Sequence, residues 1–331
     1  MTVHVKALYG FSADLEPFVQ LSPVEQVALL RSWGNTAIFG GYQNPEFSAA
    51  AHAAGMKVYA EIPCFMGADW WQKVPASRPI TAAGQPLAND DWYYGVNPSV
   101  PQVRRELLAA LEQLLTDTPL DGVWLDFIRW PCRWERPAPD LPLTSFDPDT
   151  LARFSRDTGI EIPQADIPAM AHQILVEQEA AWTAWRCQQI TSWVAEARTI
   201  LERVRPQAVL GLFGLPWRLS DHNGAILKII GQDYRALARY VDIFSPMVYH
   251  QICGQPPEWI GAVTEEVRLL TGKPVWPIIQ SVDIPAPLSA EAYAQALDAV
   301  LNSPAADGLL VFNLKGVLSE AKLAVTQARF L

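Results

Sequence analysis

The chain has 331 residues, of which half are hydrophobic and 18% are charged, a composition that fits a folded protein with a sizeable core and argues against disorder. The net charge of -10, without clustered Lys and Arg, argues against nucleic acid or an anionic membrane surface as a partner. Four widely spaced cysteines with no CxxC pair predict free thiols rather than a zinc site or a disulfide framework. The N-terminus lacks a leader pattern, so we expect a cytoplasmic protein.

Short β-branched or aromatic segments alternate with helical segments eight times along the chain. Strands are predicted to begin near Val3, Asn35, Lys57, Gly122, Ala208, Val241, Pro274 and Gly308. The first helix is predicted from Ser22 as its N-cap, with Pro23 in its first position, to Gly34. The alternation predicts an α/β fold, a (β/α)8 TIM barrel that forms one domain over residues 1–331. No GxGxxG or GxxxxGKS follows the first strand, which disfavours a dinucleotide-binding sheet.

Two long insertions interrupt the regular rhythm of strands and helices. Residues 66–100 after strand 3 are rich in Trp, Tyr, Asp, Asn and Pro, and residues 131–149 after strand 4 are rich in proline. A helical insertion at about 150–205 follows, with a long helical stretch expected from about Pro168 to Arg205. Both insertions leave the carboxyl ends of strands, where barrel enzymes build their sites.

Carboxylates near strand ends are the candidates for chemistry. Asp126 lies near the end of strand 4, Glu61 lies near the end of strand 3, and Asp221 lies in the loop after strand 5. A buried carboxylate needs a partner or a function. Asp126 could be bonded structurally to Arg129 or to a polar group of a neighbouring strand. Glu61 could be an ion-pair partner of Lys57, Arg129 or Lys315. Asp221 could belong to a turn or a helix N-cap. The alternative is a catalytic role at the barrel mouth.

Polar and aromatic side chains predicted at the same mouth are the candidates for substrate binding. A flat indole matches the apolar C–H face of a sugar ring, whereas Arg, Asn and carboxylates bond its hydroxyls. The predicted substrate-binding residues are Trp70, Trp92, Arg129, Trp130, Trp217, Tyr249, His250, Gln280, Asn313 and Lys315. No HxH closes the first strand and no cluster of His and carboxylates recurs at later strand ends, so we expect no metal and no other cofactor.

This combination predicts a glycoside hydrolase acting on a carbohydrate. Hydrolysis needs one carboxyl group to protonate the leaving oxygen and another to attack the anomeric carbon or to activate water. Asp126 with either Glu61 or Asp221 would supply the pair, and both retaining and inverting outcomes stay open.

Two motifs carry a resemblance to known families. DGVWLDFIRWP (residues 121–131) and FSPMVYH (residues 244–250) resemble the DG(I/V)xLDYIRYP and SPMVYP motifs of uncharacterised TIM-barrel families classed as glycosyl hydrolases. The LDF segment is also distantly similar to α-galactosidase-like barrels, whose strand-4 Asp is the nucleophile. The resemblance implies that Asp126 is the nucleophile or base; it does not assign the acid, because strand 6 ends in Tyr249 and His250.

Two alternatives remain beside a glycoside hydrolase. A non-catalytic carbohydrate-binding barrel would keep the aromatic cleft but lack a competent acid. A hydrolase or lyase of another class would act on a small polar substrate. The sugar, its linkage and the oligomeric state are left open by the sequence.

Overall fold

Eight parallel strands form the centre of the protein in a computed structural model, which describes residues 3–331. The strands are β1 (Val5–Phe11), β2 (Ala37–Gly40), β3 (Lys57–Pro63), β4 (Gly122–Asp126), β5 (Val209–Gly214), β6 (Ile243–Pro246), β7 (Ile278–Gln280) and β8 (Gly308–Phe312). Each pairs with its neighbours in the order β6-β5-β4-β3-β2-β1-β8-β7. Two isolated parallel bridges, Phe244 to Val275 and Met247 to Ile278, join β6 to the β7 side. The sheet is therefore a nearly closed (β/α)8 barrel, as the sequence predicts.

Helices connect the strands and pack around the barrel. They are α1 (Pro23–Ser32), α2 (Pro45–Ala53), α3 (Ala68–Lys73), α4 (Pro101–Asp117), α5 (Pro148–Thr158), α6 (Ile167–Glu177), α7 (Glu179–Val204), α8 (Ala225–Lys228), α9 (Tyr234–Leu237), α10 (Glu258–Thr271), α11 (Ala290–Leu301), α12 (Leu314–Val317) and α13 (Glu320–Phe330). The predicted start of α1 is a capping box, in which Ser22 and Glu25 satisfy each other's backbone N–H groups. No helix in the described part of the chain combines the length and apolar character that a membrane span requires.

Large aromatic side chains fill the inside of the barrel. Trp124 on β4 stacks on Trp276 with ring centroids 5.5 Å apart, and its indole N–H donates to Ser245 at 3.0 Å. Glycine makes this packing possible, because a Cβ at Gly211 would lie 2.1 Å from the Trp124 ring. The interior below the mouth is thus closed by packed rings, and only the layer at the carboxyl ends of the strands is open to a ligand.

The two predicted insertions pack against each other above the barrel. Residues 64–100 contain α3 and a short 3₁₀ turn, and residues 127–147 are irregular. Thr81 in the first insertion forms a β-bridge with Thr144 in the second. The Arg133 guanidinium donates to the Asp90 carbonyl at 2.7 Å, and Arg136 pairs with the Asp90 carboxylate. These contacts build one wall over the ends of β3 and β4.

The long helix expected from about Pro168 to Arg205 is two helices, α6 and α7. Gln178 lies between them with a ψ of 16°, outside the helical range, and redirects the chain. The sequence around Gln178 contains no glycine or proline that would predict the break.

Candidate active site

The strand register brings Glu61 and Asp126 to one side of the barrel mouth. On the paired strands β3 and β4, Pro63 lies opposite Asp126 and Glu61 lies opposite Trp124. Side chains alternate along a strand, so Glu61 and Pro63 share the inner face with Asp126, and the two carboxylates occupy successive rungs of neighbouring strands. Both line the same cavity.

The Asp126 carboxylate is partly buried in this cavity with little hydrogen bonding. Within residues 3–331 it accepts a single hydrogen bond, from the backbone N–H of Phe127 at 2.6 Å. Removal from water, together with the charge of Glu61, raises the pKa of Asp126 to about 8. Phe127 has a φ of 49°, the left-handed region that bulky residues rarely adopt. This environment favours the protonated form of the Asp126 carboxyl group.

Arg129 does not neutralise Asp126. Its guanidinium is buried and donates to the Cys132 carbonyl at 2.7 Å and to the Tyr93 hydroxyl at 3.1 Å. It also lies over the rings of Tyr93 and Phe127, 5.2 Å from each centroid. The structural alternative for Asp126, a direct bond to Arg129, is therefore not the arrangement found in the described chain.

Glu61 has a different environment, because the Tyr9 hydroxyl on β1 donates a hydrogen bond to its carboxylate. Desolvation raises the pKa of Glu61, and the hydrogen bond from Tyr9 acts in the opposite direction by favouring the charged form. Desolvation and the nearby Glu61 charge raise the pKa of the Tyr9 phenol far above its usual value, so Tyr9 stays a donor. Glu61 is thus the member of the pair that a phenol stabilises as an anion.

The mouth cavity, as we call the space around these carboxylates, has a volume of about 550 Å³, within the usual range for small-molecule sites. Aromatic rings form much of its wall. Trp134 stacks on Tyr249 with centroids 5.5 Å apart, and Tyr249 stacks on Phe312 at 5.3 Å. Trp92 lies at the rim with 48% of its surface exposed. The cavity combines flat apolar faces with a few convergent polar groups.

Glu135 is a third carboxylate in the mouth cavity, and it was not among the predicted residues. Its Oε2 atom is buried and accepts no hydrogen bond from the described residues, although Arg133 Nε lies 3.6 Å away. Such an acceptor is costly unless a ligand donates to it. Glu135 follows Asp126 by nine positions within an irregular insertion, so no periodicity could have pointed to it.

Tyr9 was not predicted either, although a signal for it existed. It lies near the end of a predicted strand, which is the same rule that selected Glu61 and Asp126. Its register with Phe39 on β2 and Phe312 on β8 directs the phenol across the mouth toward Glu61.

Asp221 and Trp217 do not reach the mouth cavity. They line a smaller neighbouring space of about 140 Å³, which we call the second cavity. The Asp221 carboxylate is fully engaged by Arg218, whose guanidinium donates at 3.0 and 3.2 Å and whose backbone N–H donates at 2.9 Å. This placement removes Asp221 as the acid paired with Asp126, because its oxygens are occupied and it faces another space.

The remaining predicted binding residues divide by position. Arg129, Trp92 and Tyr249 line the mouth cavity. Trp130 is wholly buried and donates its indole N–H to the Arg186 carbonyl at 3.1 Å, so no substrate can reach it. Gln280 is likewise buried, and its amide bonds the backbone of Ile252, Val282 and Ile284.

Four other predicted residues lie outside the cavity walls. Asn313 caps α12 by accepting a backbone N–H of that helix at 3.1 Å, and Lys315 is exposed on the same helix. Trp70 on α3 packs under the Lys73 ammonium, 5.6 Å from its ring centroid. His250 is buried with its Nδ1 unpartnered among the described residues, and burial lowers its pKa. The prediction of substrate contact is therefore not supported for these four side chains, because none of them lines the mouth cavity.

Metal binding was not expected from the sequence. Across residues 3–331, no three side chains of His, Cys, Asp or Glu converge in a way that could hold a metal ion.

Comparisons with known proteins find similarity in structure alone. No protein-family profile matches the chain, and no curated protein matches it in sequence. Solved structures that match include the PgaB (BpsB) glycoside hydrolase domain from Bordetella bronchiseptica, with a TM-score of 0.72 and 13% identity over 98% of this chain and 97% of that one. β-Galactosidase from the psychrophilic Marinomonas ef1 matches with a TM-score of 0.70 and 12% identity over 98% of this chain and 58% of that one. A catalytic mutant of Gan42B, a GH42 β-galactosidase from G. stearothermophilus, matches with a TM-score of 0.63 and 11% identity over 99% of this chain and 56% of that one.

These likenesses confirm, at the level of the fold, the predicted resemblance to the TIM barrels of glycoside hydrolases. The chain spans little more than half the length of the two β-galactosidases and nearly the whole of the PgaB domain. A shared barrel does not carry a shared reaction, so activity must be argued from the site.

Proposed function

We propose that the protein is a glycoside hydrolase whose catalytic carboxylates are Asp126 and Glu61. The observation that carries the proposal is the pair itself: two desolvated carboxyl groups on neighbouring strands, with environments that differ, at the mouth of a barrel shared with glycoside hydrolases. Separating the pKa values of two carboxyl groups is how such enzymes obtain an acid and a base from the same chemistry. A purely structural pair would be expected to have its oxygens satisfied.

The environments of the two groups favour Asp126 as the acid. Its pKa of about 8 keeps it protonated at neutral pH, so that it can donate a proton to the glycosidic oxygen. Glu61, held by Tyr9, is the carboxylate that attacks the anomeric carbon or activates water. This assignment reverses the role that the α-galactosidase resemblance implies for Asp126, because Glu61 accepts a hydrogen bond from Tyr9 that favours its charged form, whereas Asp126 accepts only a backbone N–H among the described residues.

The other groups of the mouth cavity have roles in holding the sugar. Trp92, Phe127 and Tyr249 supply ring faces for its apolar C–H surface. The unpartnered oxygen of Glu135 supplies an acceptor for a hydroxyl group. Arg129 is held rigidly by its bonds to Tyr93 and Cys132 and contributes positive charge beside the pair.

The first experiment measures hydrolysis of α- and β-aryl glycosides and short oligosaccharides by the wild type and by Asp126→Asn. Each glycoside is prepared with a poor leaving group (phenol) and an activated one (2,4-dinitrophenol). Loss of the acid should lower the rate by about 10²–10⁴-fold on the phenyl glycoside and much less on the dinitrophenyl glycoside, which needs no proton. The matched control is Asp140→Asn, an exposed aspartate of the insertion that follows β4, which lines neither cavity and should leave the rates unchanged.

The outcomes separate the candidate functions. Equal rates for Asp126→Asn and the wild type would remove Asp126 from the mechanism. No hydrolysis by the wild type, with sugars still raising the melting temperature, would favour the carbohydrate-binding barrel over the enzyme.

A further inference from the structure

The second cavity adjoins the mouth cavity through a shared side chain. Trp134 lines both spaces, and the rest of the second cavity includes Trp217, Trp259, Gln255 and Arg218. Residues 216–224 (PWRLSDHNG) have no role in the proposed function, yet four of them line this second cavity beside the mouth cavity. A ligand that extends past Trp134 would enter both spaces.

The second cavity, like the mouth cavity, is lined by both aromatic and polar side chains. Three indole side chains contribute to its walls: Trp134 and Trp217 are buried behind its surface, and Trp259 is half-buried and accessible. The His222 ring lies against Trp217 with centroids 4.7 Å apart. The accessible indole of Trp259, combined with amide and guanidinium donors, suits a ring that carries hydroxyl groups on its edge and C–H groups on its face.

The charges around the second cavity are already paired. Arg218 is bonded to Asp221, and Arg136 is bonded to Asp90. Glu266 accepts a hydrogen bond from the backbone N–H that follows Arg218, which adds another negative group near that guanidinium. With both guanidinium groups neutralised, a carboxylate on the ligand would gain little, so the pairing favours an uncharged ligand.

We infer that the second cavity is a subsite for an uncharged sugar unit of an oligosaccharide whose scissile bond lies in the mouth cavity. The inference rests on the proposed function and deepens it, because it makes the substrate a chain of several sugar units rather than a small glycoside. The buried Trp134 would form the wall that the two sugar-binding spaces share.

Calorimetric titration of Asp126→Asn, the slow variant, with gluco-, galacto- and xylo-oligosaccharides of increasing length tests this inference. For the series that binds, affinity should rise about tenfold at the length that reaches the second cavity, as one stacked ring would supply. Adding Trp259→Ala should remove that rise. The matched control is Trp70→Ala, another half-buried tryptophan outside both cavities, which should retain it.

A second variant guards against a folding defect in Trp259→Ala. Gln255 is exposed on a loop, and Gln255→Trp should fill the second cavity and abolish the same rise in affinity. An affinity that does not depend on length, or a rise that survives both variants, would overturn the subsite and leave the proposed function standing. Failure of the wild type to cleave or bind any of these sugars would instead count against the proposed function and the subsite together.

Discussion

Asp126 and Asp221 follow neighbouring strands of the barrel, and each has an arginine three positions away in the sequence. Arg218 turns toward Asp221 and occupies its carboxylate, whereas Arg129 turns away from Asp126 to bond a tyrosine hydroxyl and a backbone carbonyl. Asp221 is therefore satisfied, while Asp126 is left in a desolvated position with a raised pKa. The direction of one arginine separates a carboxylate whose oxygens are occupied from one whose oxygens accept a single hydrogen bond among the described residues.

The largest effect is expected for Glu61, which we propose as the nucleophile or base. Glu61→Gln should lower kcat by about 10³-fold or more on phenyl and dinitrophenyl glycosides alike, because an activated leaving group does not replace a nucleophile or base. Rates of both substrates with the folded variant check this prediction. A loss confined to the phenyl glycoside would exchange the roles of Glu61 and Asp126.

The pH dependence of activity tests the roles proposed for Asp126 and Glu61. If Asp126 acts as the acid, activity should fall as the pH rises through about 8, where its proton is lost. Because Glu61 must be charged, activity should also fall in acid. A profile of kcat/KM against pH measures both limbs, and the limb near pH 8 should be absent from Asp126→Asn.

The free energy of unfolding should also depend on the titration of Asp126. The pKa of Asp126 is about 8 in the folded protein and about 3.9 in an unfolded chain, so the folded state holds the extra proton between these values. The free energy of unfolding should therefore fall as the pH rises through that window, and the raised pKa of Glu61 acts in the same direction. Melting curves of the wild type and Asp126→Asn should diverge with rising pH, with the variant the more stable. Parallel curves would mean that Asp126 is already charged at low pH.

The barrel was predictable because its signals are local and repeated. Strand segments recur eight times, and starts such as Ser22 with Glu25 are readable from the sequence. The pair of Glu61 and Asp126 followed from one rule, namely that polar residues at strand ends meet at one mouth. The same rule does not place Asp221, because Asp221 lies seven residues beyond the end of β5 on a loop whose path the sequence does not specify.

The sequence also does not show which aromatic residues of the insertions face the mouth cavity. Trp92 and Trp130 look alike in the sequence, yet one is half-exposed at the rim and the other lies wholly buried under the Arg186 guanidinium, 4.0 Å from its ring centroid. Their burial depends on how two irregular insertions fold over each other, and neither has a period that fixes which side chain faces inward. Glu135 was missed for the same reason.

Tyr9 tests whether the hydrogen bond to Glu61 matters for chemistry. A hydrogen bond to a charged group contributes about 1.5–3 kcal/mol, so Tyr9→Phe should lower kcat by about 10–150-fold while the fold is kept. The acidic limb of the pH profile should also move upward, because Glu61 loses a donor that favours its charged form. Steady-state rates across pH measure both effects, and an unmoved acidic limb would place the Tyr9 bond outside the catalytic step.

The smallest effect on activity is expected for substitution of Asp221, the aspartate that is paired with Arg218. Asp221→Asn removes one charge from the pair with Arg218, whose side chain is 41% exposed, so solvent screening limits the loss of stability to about 1 kcal/mol or less. Turnover of aryl glycosides should fall far less than in Asp126→Asn and equally for phenyl and dinitrophenyl leaving groups. Denaturant unfolding and the two rates measure this, and a loss confined to the phenyl glycoside would make Asp221 a proton donor and would contradict the separation of the two aspartates.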